Sequence, residues 1–284
     1  MNLYEETKFL MDKYNIKANK NLGQNFLVDE NVIETAIEKS NINEEDLVIE
    51  IGPGLGTLTK YLLENAGRVI CVELDKRMIK ILDERFFLYK NFEVINNDIL
   101  KVDLNEIIKQ AKEKYNLKNA KIVANLPYYI TTPIIMKLLE SKIDITSITV
   151  MIQKEVADRL AEIPGGKNTG AITYTVYYYG ETEKLLEVPK SSFIPEPSVT
   201  SEVIKINIRK EPPVKVQNEE RFFKLIKVAF LQRRKTLLNS LTNNGISNKE
   251  ELTQLLNKLN IDEKIRSEKL TIDQFAELSN NLNA

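Results

Sequence analysis

The sequence of 284 residues contains no histidine, no tryptophan and one cysteine, Cys71. Without histidine there can be no Ser–His–Asp or Cys–His catalytic site and no metal site with imidazole ligands. A single cysteine excludes internal disulfides, iron–sulfur clusters and zinc sites made of cysteines alone. We therefore expect chemistry based on carboxylates, amides, hydroxyls, lysines, backbone groups or an imported cofactor, without a metal.

Long apolar segments are also missing from the chain. No stretch approaches the ~18 uncharged apolar residues typical of a membrane-spanning helix, and the first residues are acidic, where a secretory signal would be basic and then apolar. With 43% hydrophobic and 29% charged residues, the composition is typical of a globular protein. We expect a cytoplasmic monomer with no membrane partner.

The net charge of −1 conceals an uneven distribution along the chain. Residues 1–200 contain 25 basic and 30 acidic side chains, whereas residues 201–240 contain 10 basic and 4 acidic ones. A local basic excess of this kind is typical of a surface that binds a polyanion. A solvated helix face is the alternative explanation, and the sequence leaves both open.

Between Leu47 and Asn125, short runs rich in β-branched residues alternate with segments of helical periodicity. We predict four strands here, at residues 47–51, 68–73, 92–95 and 122–124. Strands separated by helices of this length predict a parallel sheet with right-handed crossovers, which is an α/β fold.

The pattern changes after residue 210, where Glu211-Pro212-Pro213 breaks the chain and helical periodicity continues to the end. We predict two domains, a catalytic α/β domain at residues 1–210 and a small all-helical domain at residues 211–284. Residues 220–241 are amphipathic. If they formed one unbroken helix, Arg233 would lie on its apolar face, so we expect a break near Gln232 or an arginine at the rim of that face.

Three features lie at the ends of successive predicted strands: the turn Gly52-Pro53-Gly54-Leu55-Gly56, the carboxylate of Glu73 and that of Asp98. Such a turn lets the backbone approach a ligand closely. Its G-x-G-x-G spacing differs from the G-x-G-x-x-G of dinucleotide sites and suits S-adenosylmethionine (SAM), which has no pyrophosphate. Glu73 could accept hydrogen bonds from ribose hydroxyls and Asp98 from an adenine amino group. Ligands of α/β sheets bind at this edge, so the set predicts a SAM site.

The fourth predicted strand ends in Asn125-Leu126-Pro127-Tyr128, a motif of the form [N/D]-[P/I/L]-P-[Y/F]. An exocyclic adenine amine is a poor nucleophile because its lone pair is delocalised into the ring. The side-chain oxygen of Asn125 and the carbonyl of Leu126 could accept its two hydrogens and direct the lone pair. Pro127 would stiffen the turn, and Tyr128 offers a ring on which an extruded base can stack.

With this motif the chain closely resembles the bacterial small-subunit (16S) rRNA adenine N6,N6-dimethyltransferase family over nearly its whole length. Six segments carry the resemblance: residues 21–27 (NLGQNFL), 50–56 (EIGPGLG), 125–133 (NLPYYITTP), 153–160 (QKEVADRL), 193–197 (FIPEP) and 232–237 (QRRKTL). The resemblance implies a Rossmann-like SAM-dependent methyltransferase with a helical C-terminal domain. It also implies dimethylation of two adjacent adenosines in the 3′-terminal hairpin of small-subunit rRNA, within an assembling 30S particle.

Residue by residue, the resemblance implies that Asn25 and Leu27 belong to the SAM site, preceded by a flap. It matches Gly52 and Gly54 to the methionine side, Glu73 to the ribose, Asp98 to the adenine, and Asn125 to both SAM and the target amine. It matches Phe193 to a second aromatic ring that packs on the target adenine opposite Tyr128.

The run Arg233-Arg234-Lys235 is the strongest candidate for contact with RNA phosphates, because arginine suits bidentate phosphate binding. We therefore expect the helical domain to bind RNA. An internal cluster of ion pairs is the alternative.

Three other functions share parts of this pattern. The sister family that dimethylates large-subunit rRNA and confers macrolide resistance has the same motifs, although Leu126 and the Gln232-Arg233-Arg234-Lys235 run favour the small-subunit enzyme. A DNA adenine-N6 methyltransferase would usually carry a separate DNA-reading domain, which the sequence does not indicate. A non-enzymatic factor on the same fold would not need Gly52, Glu73, Asp98 and Asn125 together.

Overall fold

The computed structural model describes residues 2–19, 22–232 and 234–282. These residues form two compact units. The first unit takes the described residues up to Ala157 together with Thr182–Ile208, and the second takes Asp158–Glu181 together with those from Arg209 onward.

The first unit is built on a seven-stranded sheet and a two-stranded one. The strands are β1 (Phe26–Leu27), β2 (Asp46–Ile51), β3 (Arg68–Glu73), β4 (Phe92–Asn96), β5 (Asn119–Asn125), β6 (Ser147–Gln153), β7 (Gly180–Val188), β8 (Phe193–Ile194) and β9 (Ser201–Ile208). The large sheet has the order β4-β3-β2-β5-β6-β9-β7, and β1 pairs antiparallel with β8. From β4 to β6 all neighbours are parallel, and β9 is antiparallel to β6.

The helices of the described residues are α1 (Leu3–Lys13), α2 (Glu30–Ser40), α3 (Thr57–Asn65), α4 (Lys76–Phe86), α5 (Leu104–Tyr115), α6 (Thr131–Glu140), α7 (Lys154–Leu160), α8 (Ala171–Tyr179), α9 (Glu219–Ala229), α10 (Leu237–Asn243), α11 (Lys249–Lys258) and α12 (Ile272–Asn281). Several of these helices have an aspartate as their N-cap residue. Asp29, Asp75 and Asp103 each accept a hydrogen bond from a backbone N–H in the first turn of the helix that follows. No helix in the described part of the chain is long and apolar enough to cross a membrane.

Every residue of β2 and β3 is buried. Strands of a parallel sheet are covered on both faces, and for this reason they read as continuous apolar runs rather than alternating ones. The predicted α/β sheet is confirmed, with strand β3 at the predicted residues 68–73. The strand predicted at 122–124 is longer, Asn119–Asn125.

The second unit is helical, and its core is aromatic. Tyr174 and Tyr178 of α8 pack with Phe222 of α9 and Phe275 of α12. The chain passes between units at Ile208, close to the predicted boundary at 210. However, residues 158–181, which we expected in the first domain, belong to the second unit because the buried rings of α8 complete its core.

The amphipathic segment at residues 220–241 does not form one continuous helix. Helix α9 ends at Ala229, and α10 begins at Leu237 with Thr236 as its N-cap. A turn closed by the Lys235 N–H and the Gln232 carbonyl, 2.9 Å apart, lies between them. Of the two arrangements that the sequence allowed, the structure therefore shows the break near Gln232.

Candidate active site

A cavity of about 1010 Å³, counting the part open to solvent, lies at the carboxyl ends of β2, β3 and β5. Strand order reverses at β2, since β3 lies on one side of it and β5 on the other. Crossovers leave the sheet in opposite directions at such a point, which opens a crevice for a ligand. The cavity is lined chiefly by residues 22–27, 50–54, 72–74, 97–99 and 125–130.

The glycine turn after β2 forms the floor of this cavity. Gly52 and Gly54 have φ angles of +67° and +57°, a region that side chains other than glycine rarely adopt. A Cβ atom at Gly54 would lie 3.1 Å from the ring of Phe26, whereas one at Gly52 would meet nothing within 4 Å. The turn therefore needs glycine for its conformation, and at Gly54 also for the approach of Phe26.

Glu73 at the end of β3 is held by two backbone donors. Its Oε2 accepts from the N–H of Gly54 at 3.1 Å, and its Oε1 from the N–H of Asp75 at 2.7 Å. The residue is 6% exposed. Burial raises the pKa of this carboxyl, although the two backbone hydrogen bonds oppose the rise. Each oxygen keeps a further lone pair, so the carboxylate can accept from two ribose hydroxyls.

Asp98 and Leu74 lie beside Glu73 on the cavity wall. Asp98 follows β4, and its Oδ1 accepts from the N–H of Leu100 at 3.0 Å, which fixes the carboxylate. Leu74 is 51% exposed and gives an apolar surface next to that carboxylate. This pairing suits an adenine ring, with an apolar face and an amino group at its edge. Sequence reasoning missed Leu74, although an apolar residue directly after the strand-end Glu73 was the available signal.

Asn125 at the end of β5 is held in one orientation. Its Nδ2 donates to the backbone carbonyl of Asn25 at 3.0 Å. Within the described part of the chain, the Oδ1 of Asn125 and the carbonyl of Leu126 accept no hydrogen bond. The N–H of Leu126 donates to Met151 on β6 at 3.1 Å, which anchors the turn. At the carboxyl end of β5 there are thus two acceptors that receive no hydrogen bond within the described residues. The predicted chemistry requires two such acceptors, and their binding of a target amine stays a prediction.

Tyr128 follows Pro127 at the start of a 3-10 turn, Tyr128–Ile130, and lines the cavity. Its hydroxyl shares a hydrogen bond with Ser201 on β9, 2.5 Å away. Burial raises the pKa of Tyr128, so the phenol is neutral at ordinary pH. Ser201 therefore fixes the ring of Tyr128, and sequence reasoning gave it no such role.

The segment 22–27 lies along the cavity wall. Asn25 donates from its side chain to the Gly23 carbonyl at 3.2 Å, and Leu27 is buried beside the cavity. A Cβ atom at Gly23 would lie 3.1 Å from the ring of Tyr129. Asn25 and Leu27 both line this cavity, and their contact with SAM stays a prediction. Asn21, the first residue of the resembling segment, lies outside the described residues.

Phe193 differs from the expectation. Its side chain is 2% exposed, packs in the apolar core of the first unit and is not among the residues lining the cavity. The physical reason is the pairing of β8 with β1, which sets Phe193 opposite Leu27 and covers the ring. A base could stack on Phe193 only after these neighbours moved, so its predicted contact with a target adenine stays a prediction.

Arg234 and Lys235 are exposed in the turn between α9 and α10 of the second unit. Within the described residues neither forms an ion pair, so for these two the internal cluster is not what the structure shows. Arg233 lies outside the described residues. The described residues also contain no group of three or more Asp, Glu or Cys side chains that could hold a metal ion.

This geometry can be compared with known proteins. The sequence model of the family "Ribosomal RNA adenine dimethylase" matches residues 15–284. The chain belongs to this family. Its members methylate rRNA adenines with SAM, so the protein is a SAM-dependent rRNA methyltransferase.

Curated relatives match over almost their full length. "Ribosomal RNA small subunit methyltransferase A" of Alkaliphilus oremlandii is 48% identical over 279 residues, which cover 98% of this chain and 96% of the relative. The protein of the same name from Clostridium botulinum is 49% identical over 273 residues, covering 96% and 97%.

Solved structures support the same architecture. A dimethyladenosine transferase from Plasmodium falciparum matches with a TM-score of 0.73 and 28% identity, over 89% of this chain and 95% of that one. The 23S rRNA methyltransferase ErmE matches with a TM-score of 0.68 and 25% identity, over 92% and 100%. The Rossmann-like methyltransferase fold with a helical C-terminal region is thereby confirmed.

The cavity fits SAM. The glycine turn at its floor has φ angles that most side chains do not adopt. On its wall, the Glu73 carboxylate offers two acceptor oxygens. Leu74 adds an apolar surface there, and Asp98 adds a further acceptor. These groups match the methionine, ribose and adenine parts of the molecule in that order along the sheet edge.

Proposed function

We propose that this methyltransferase adds two methyl groups to N6 of each of two adjacent adenosines in the 3′-terminal hairpin of small-subunit rRNA. The reaction takes place in the cytoplasm on an assembling 30S particle, and the protein acts as a monomer. The observation that carries the adenine chemistry is a pair of acceptors in residues that line the cavity, Asn125 Oδ1 and the Leu126 carbonyl, which receive no hydrogen bond within the described part of the chain. The choice of the small subunit is supported by the curated relatives that share 48–49% identity with nearly the whole chain.

The residues of the cavity hold the methyl donor and the target in line. SAM supplies a methyl group on a sulfonium. Glu73 binds its ribose, Asp98 and Leu74 its adenine, and the turn at Gly52 lets its methionine part lie against the backbone. A well-oriented approach of two reactants can supply roughly 7–11 kcal/mol of the barrier, so positioning carries most of the catalysis.

Asn125 and Leu126 act on the nucleophile. Their two oxygens accept the hydrogens of the target amine, which pulls the nitrogen toward tetrahedral geometry and directs its lone pair at the methyl group. The amide of Asn125 does this in one orientation only, because its Nδ2 is already committed to the Asn25 carbonyl. The methylated nitrogen is acidic while charged and loses its proton to water, so no general base is required.

The second methylation places a further demand on this site. After one transfer the amine retains a single N–H, so one of the two acceptors loses its donor and the new methyl group needs room. Tyr128 provides a stacking surface for the base. The position of the Tyr128 ring does not depend on the hydrogen bonds of the amine, because Ser201 holds the Tyr128 hydroxyl. Stacking keeps the base in place for the second transfer.

The basic turn of the second unit is proposed to contact RNA phosphates. Arg234 and Lys235 are exposed and form no ion pair among the described residues, so their charges are available to a polyanion. Arg233, which lies outside the described residues, is included in the proposal from its sequence position.

The test is the transfer of radiolabelled methyl groups from SAM to unmethylated small subunits, large subunits and duplex DNA, followed by mapping of the label. We expect label in small subunits, confined to the 3′-terminal hairpin. Label in large-subunit RNA would instead assign the chain to the macrolide-resistance type of activity, and label in DNA would overturn the RNA substrate.

A further inference from the structure

Two side-chain hydrogen bonds join the segment 22–25 to opposite sides of the cavity. On the side where methyl transfer takes place, Asn125 donates to the Asn25 carbonyl at 3.0 Å. On the ribose side, the Nε2 of Gln24 donates to the Oδ2 of Asp75 at 3.0 Å. The segment between these bonds is part of the cavity wall, so a ligand lying in the cavity would be in contact with it.

Gln24 is held in a single orientation. Its Oε1 accepts from the N–H of Asn19 at 2.8 Å, so its Nε2 must face Asp75. The acceptor is a carboxylate that also binds the guanidinium of Arg77 at 2.6 Å. Hydrogen bonds to charged acceptors are stronger than those between neutral groups, so this bond is a substantial attachment.

Asp75 connects this attachment to the ribose-binding carboxylate. Asp75 is 8% exposed, and its own N–H donates to Glu73 Oε1 at 2.7 Å. Gln24 itself does not touch Glu73 and acts on the site through Asp75. A change at Gln24 therefore frees the segment without removing any group that would bind the ribose.

We propose that Gln24 is a positioning residue that holds segment 22–25 closed over the methyl donor, and that the Gln24–Asp75 bond must break before the spent donor, S-adenosylhomocysteine, can leave. The inference rests on the proposed function in taking SAM as donor and in requiring four transfers per substrate. Each transfer consumes one donor, so the segment must open once for every methyl group added.

The Gln24–Asp75 hydrogen bond can be tested by exchanging its donor and its acceptor. Gln24→Glu sets two carboxylates against each other. Asp75→Asn sets two amide N–H groups against each other, because the Oδ1 of that side chain is already used as the N-cap acceptor for the N–H of Arg77 at 3.0 Å. It also removes the acceptor for the Nη2 of Arg77, which donates to the same Oδ2 at 2.6 Å. Combining the two substitutions restores a donor facing an acceptor, with their positions exchanged.

The experiment measures association and dissociation of S-adenosylhomocysteine on the full chain by surface plasmon resonance. We expect Gln24→Glu and Gln24→Ala to speed dissociation about tenfold, the loss of one hydrogen bond to a charged group, without slowing association. The double variant shares the loss of the Arg77 contact with Asp75→Asn and restores the bond to residue 24, so it should dissociate about tenfold more slowly than Asp75→Asn alone. The matched control is Gln110→Ala, which removes an exposed glutamine that also donates to a carboxylate, Glu106 on α5.

An unchanged dissociation rate in Gln24→Glu would overturn the proposal. So would a double variant that dissociates as fast as Asp75→Asn alone, because the exchange of donor and acceptor should restore the bond between these two side chains. Melting temperatures of all variants are recorded alongside. No RNA is present in this measurement, so an error in the RNA substrate would leave its outcome unaffected.

Discussion

The two units differ in what they bury. Among the described residues, every buried charged side chain lies in the first unit, Glu50, Glu73 and Asp75 among them. The buried polar side chains of the second unit are hydroxyls of serine and threonine, and its charged side chains are half-buried or exposed. Burying a carboxylate is costly, as Glu50 shows, since burial raises the pKa of this carboxyl to about 7.

The difference indicates a division of work. The chemistry in the first unit depends on groups held in fixed positions, and each of them is held by a partner from another element: Glu73 by Gly54, Asn125 by Asn25 and Tyr128 by Ser201. Contact with phosphates requires only a positive charge on a side chain long enough to touch the RNA backbone, and exposed side chains such as Arg234 meet that requirement. Substitutions in the first unit should therefore alter chemistry or donor binding, and those in the basic turn should alter RNA affinity.

The largest effect is expected at Asn125. Asn125→Ala should lower the single-turnover rate of methyl transfer about 100- to 1000-fold, the loss typical of removing one fixed polar group from a transition state. SAM affinity should stay within about an order of magnitude, because Glu73 and Asp98 remain. The isosteric Asn125→Asp keeps an acceptor but sets a carboxylate against the Asn25 carbonyl. Its rate of methyl transfer should therefore lie between that of the starting protein and that of Asn125→Ala. Asn65→Ala, an exposed asparagine on α3, is the control; single-turnover transfer at the normal rate in Asn125→Ala would rule out the assigned role.

Glu73 should have the next largest effect, on donor binding. Glu73→Ala should weaken SAM binding about 100-fold, since two hydrogen bonds to a charged acceptor are lost, and Glu73→Gln about tenfold, since its amide keeps one acceptor oxygen. The ionised carboxylate is the form that accepts from the ribose, and burial raises the pKa of Glu73. SAM affinity is therefore full above that pKa and falls as the pH drops through it, at a higher pH than for an exposed carboxyl.

Calorimetry across pH checks this prediction. In Glu73→Gln the loss of affinity on the acid side should disappear. Glu64→Gln, an exposed position on α3, should bind SAM as the starting protein does. Unchanged affinity in Glu73→Gln at neutral pH would show that the carboxylate does not bind the donor.

Substitutions in the basic turn should weaken RNA binding and leave the rate of methyl transfer unchanged. Replacing Arg233, Arg234 and Lys235 by alanine should weaken binding about tenfold across RNA sequences and reduce the slope of log K against log salt by about 2. At saturating RNA the single-turnover rate should be normal. Lys249→Ala with Lys264→Ala removes two exposed charges elsewhere in the same unit as a comparison. A salt slope that does not change in a filter-binding titration would contradict the assignment.

The smallest effect is expected at Ser201. Ser201→Ala removes the partner of the Tyr128 hydroxyl and should lower turnover about fivefold, the value of one neutral hydrogen bond. Tyr128→Phe should do the same, and the double substitution should cost no more than either alone, because both remove one bond. Additive losses would mean that Ser201 acts in another way.

Much of the first unit was predictable because its signals are local. Apolar runs covered on both faces marked β2 and β3, and carboxyl ends of parallel strands meet at one edge, so Glu73, Asp98 and Asn125 could be expected together. The contacts between distant parts of the chain could not be predicted. Ser201 reaches Tyr128 only because β9 inserts beside β6, which no local pattern reveals.

The same limit explains the remaining differences. The sequence placed residues 158–181 in the first domain, because no local pattern shows that the rings of α8 complete the core of the helical unit. The aromatic character of Phe193 suggested a stacking surface, whereas its burial depends on the pairing of β8 with β1. Propensity also could not locate the end of α9, since the amphipathic pattern continues past the residue where the helix stops.

One measurement tests the central claim most directly: mass analysis of small-subunit rRNA after exhaustive methylation in vitro. The proposed function predicts four methyl groups per small subunit, present as N6,N6-dimethyladenosine at two adjacent positions, and the same product formed about 100- to 1000-fold more slowly with Asn125→Ala. Monomethylated adenosine as the final product, or dimethyladenosine at any other position, would contradict it.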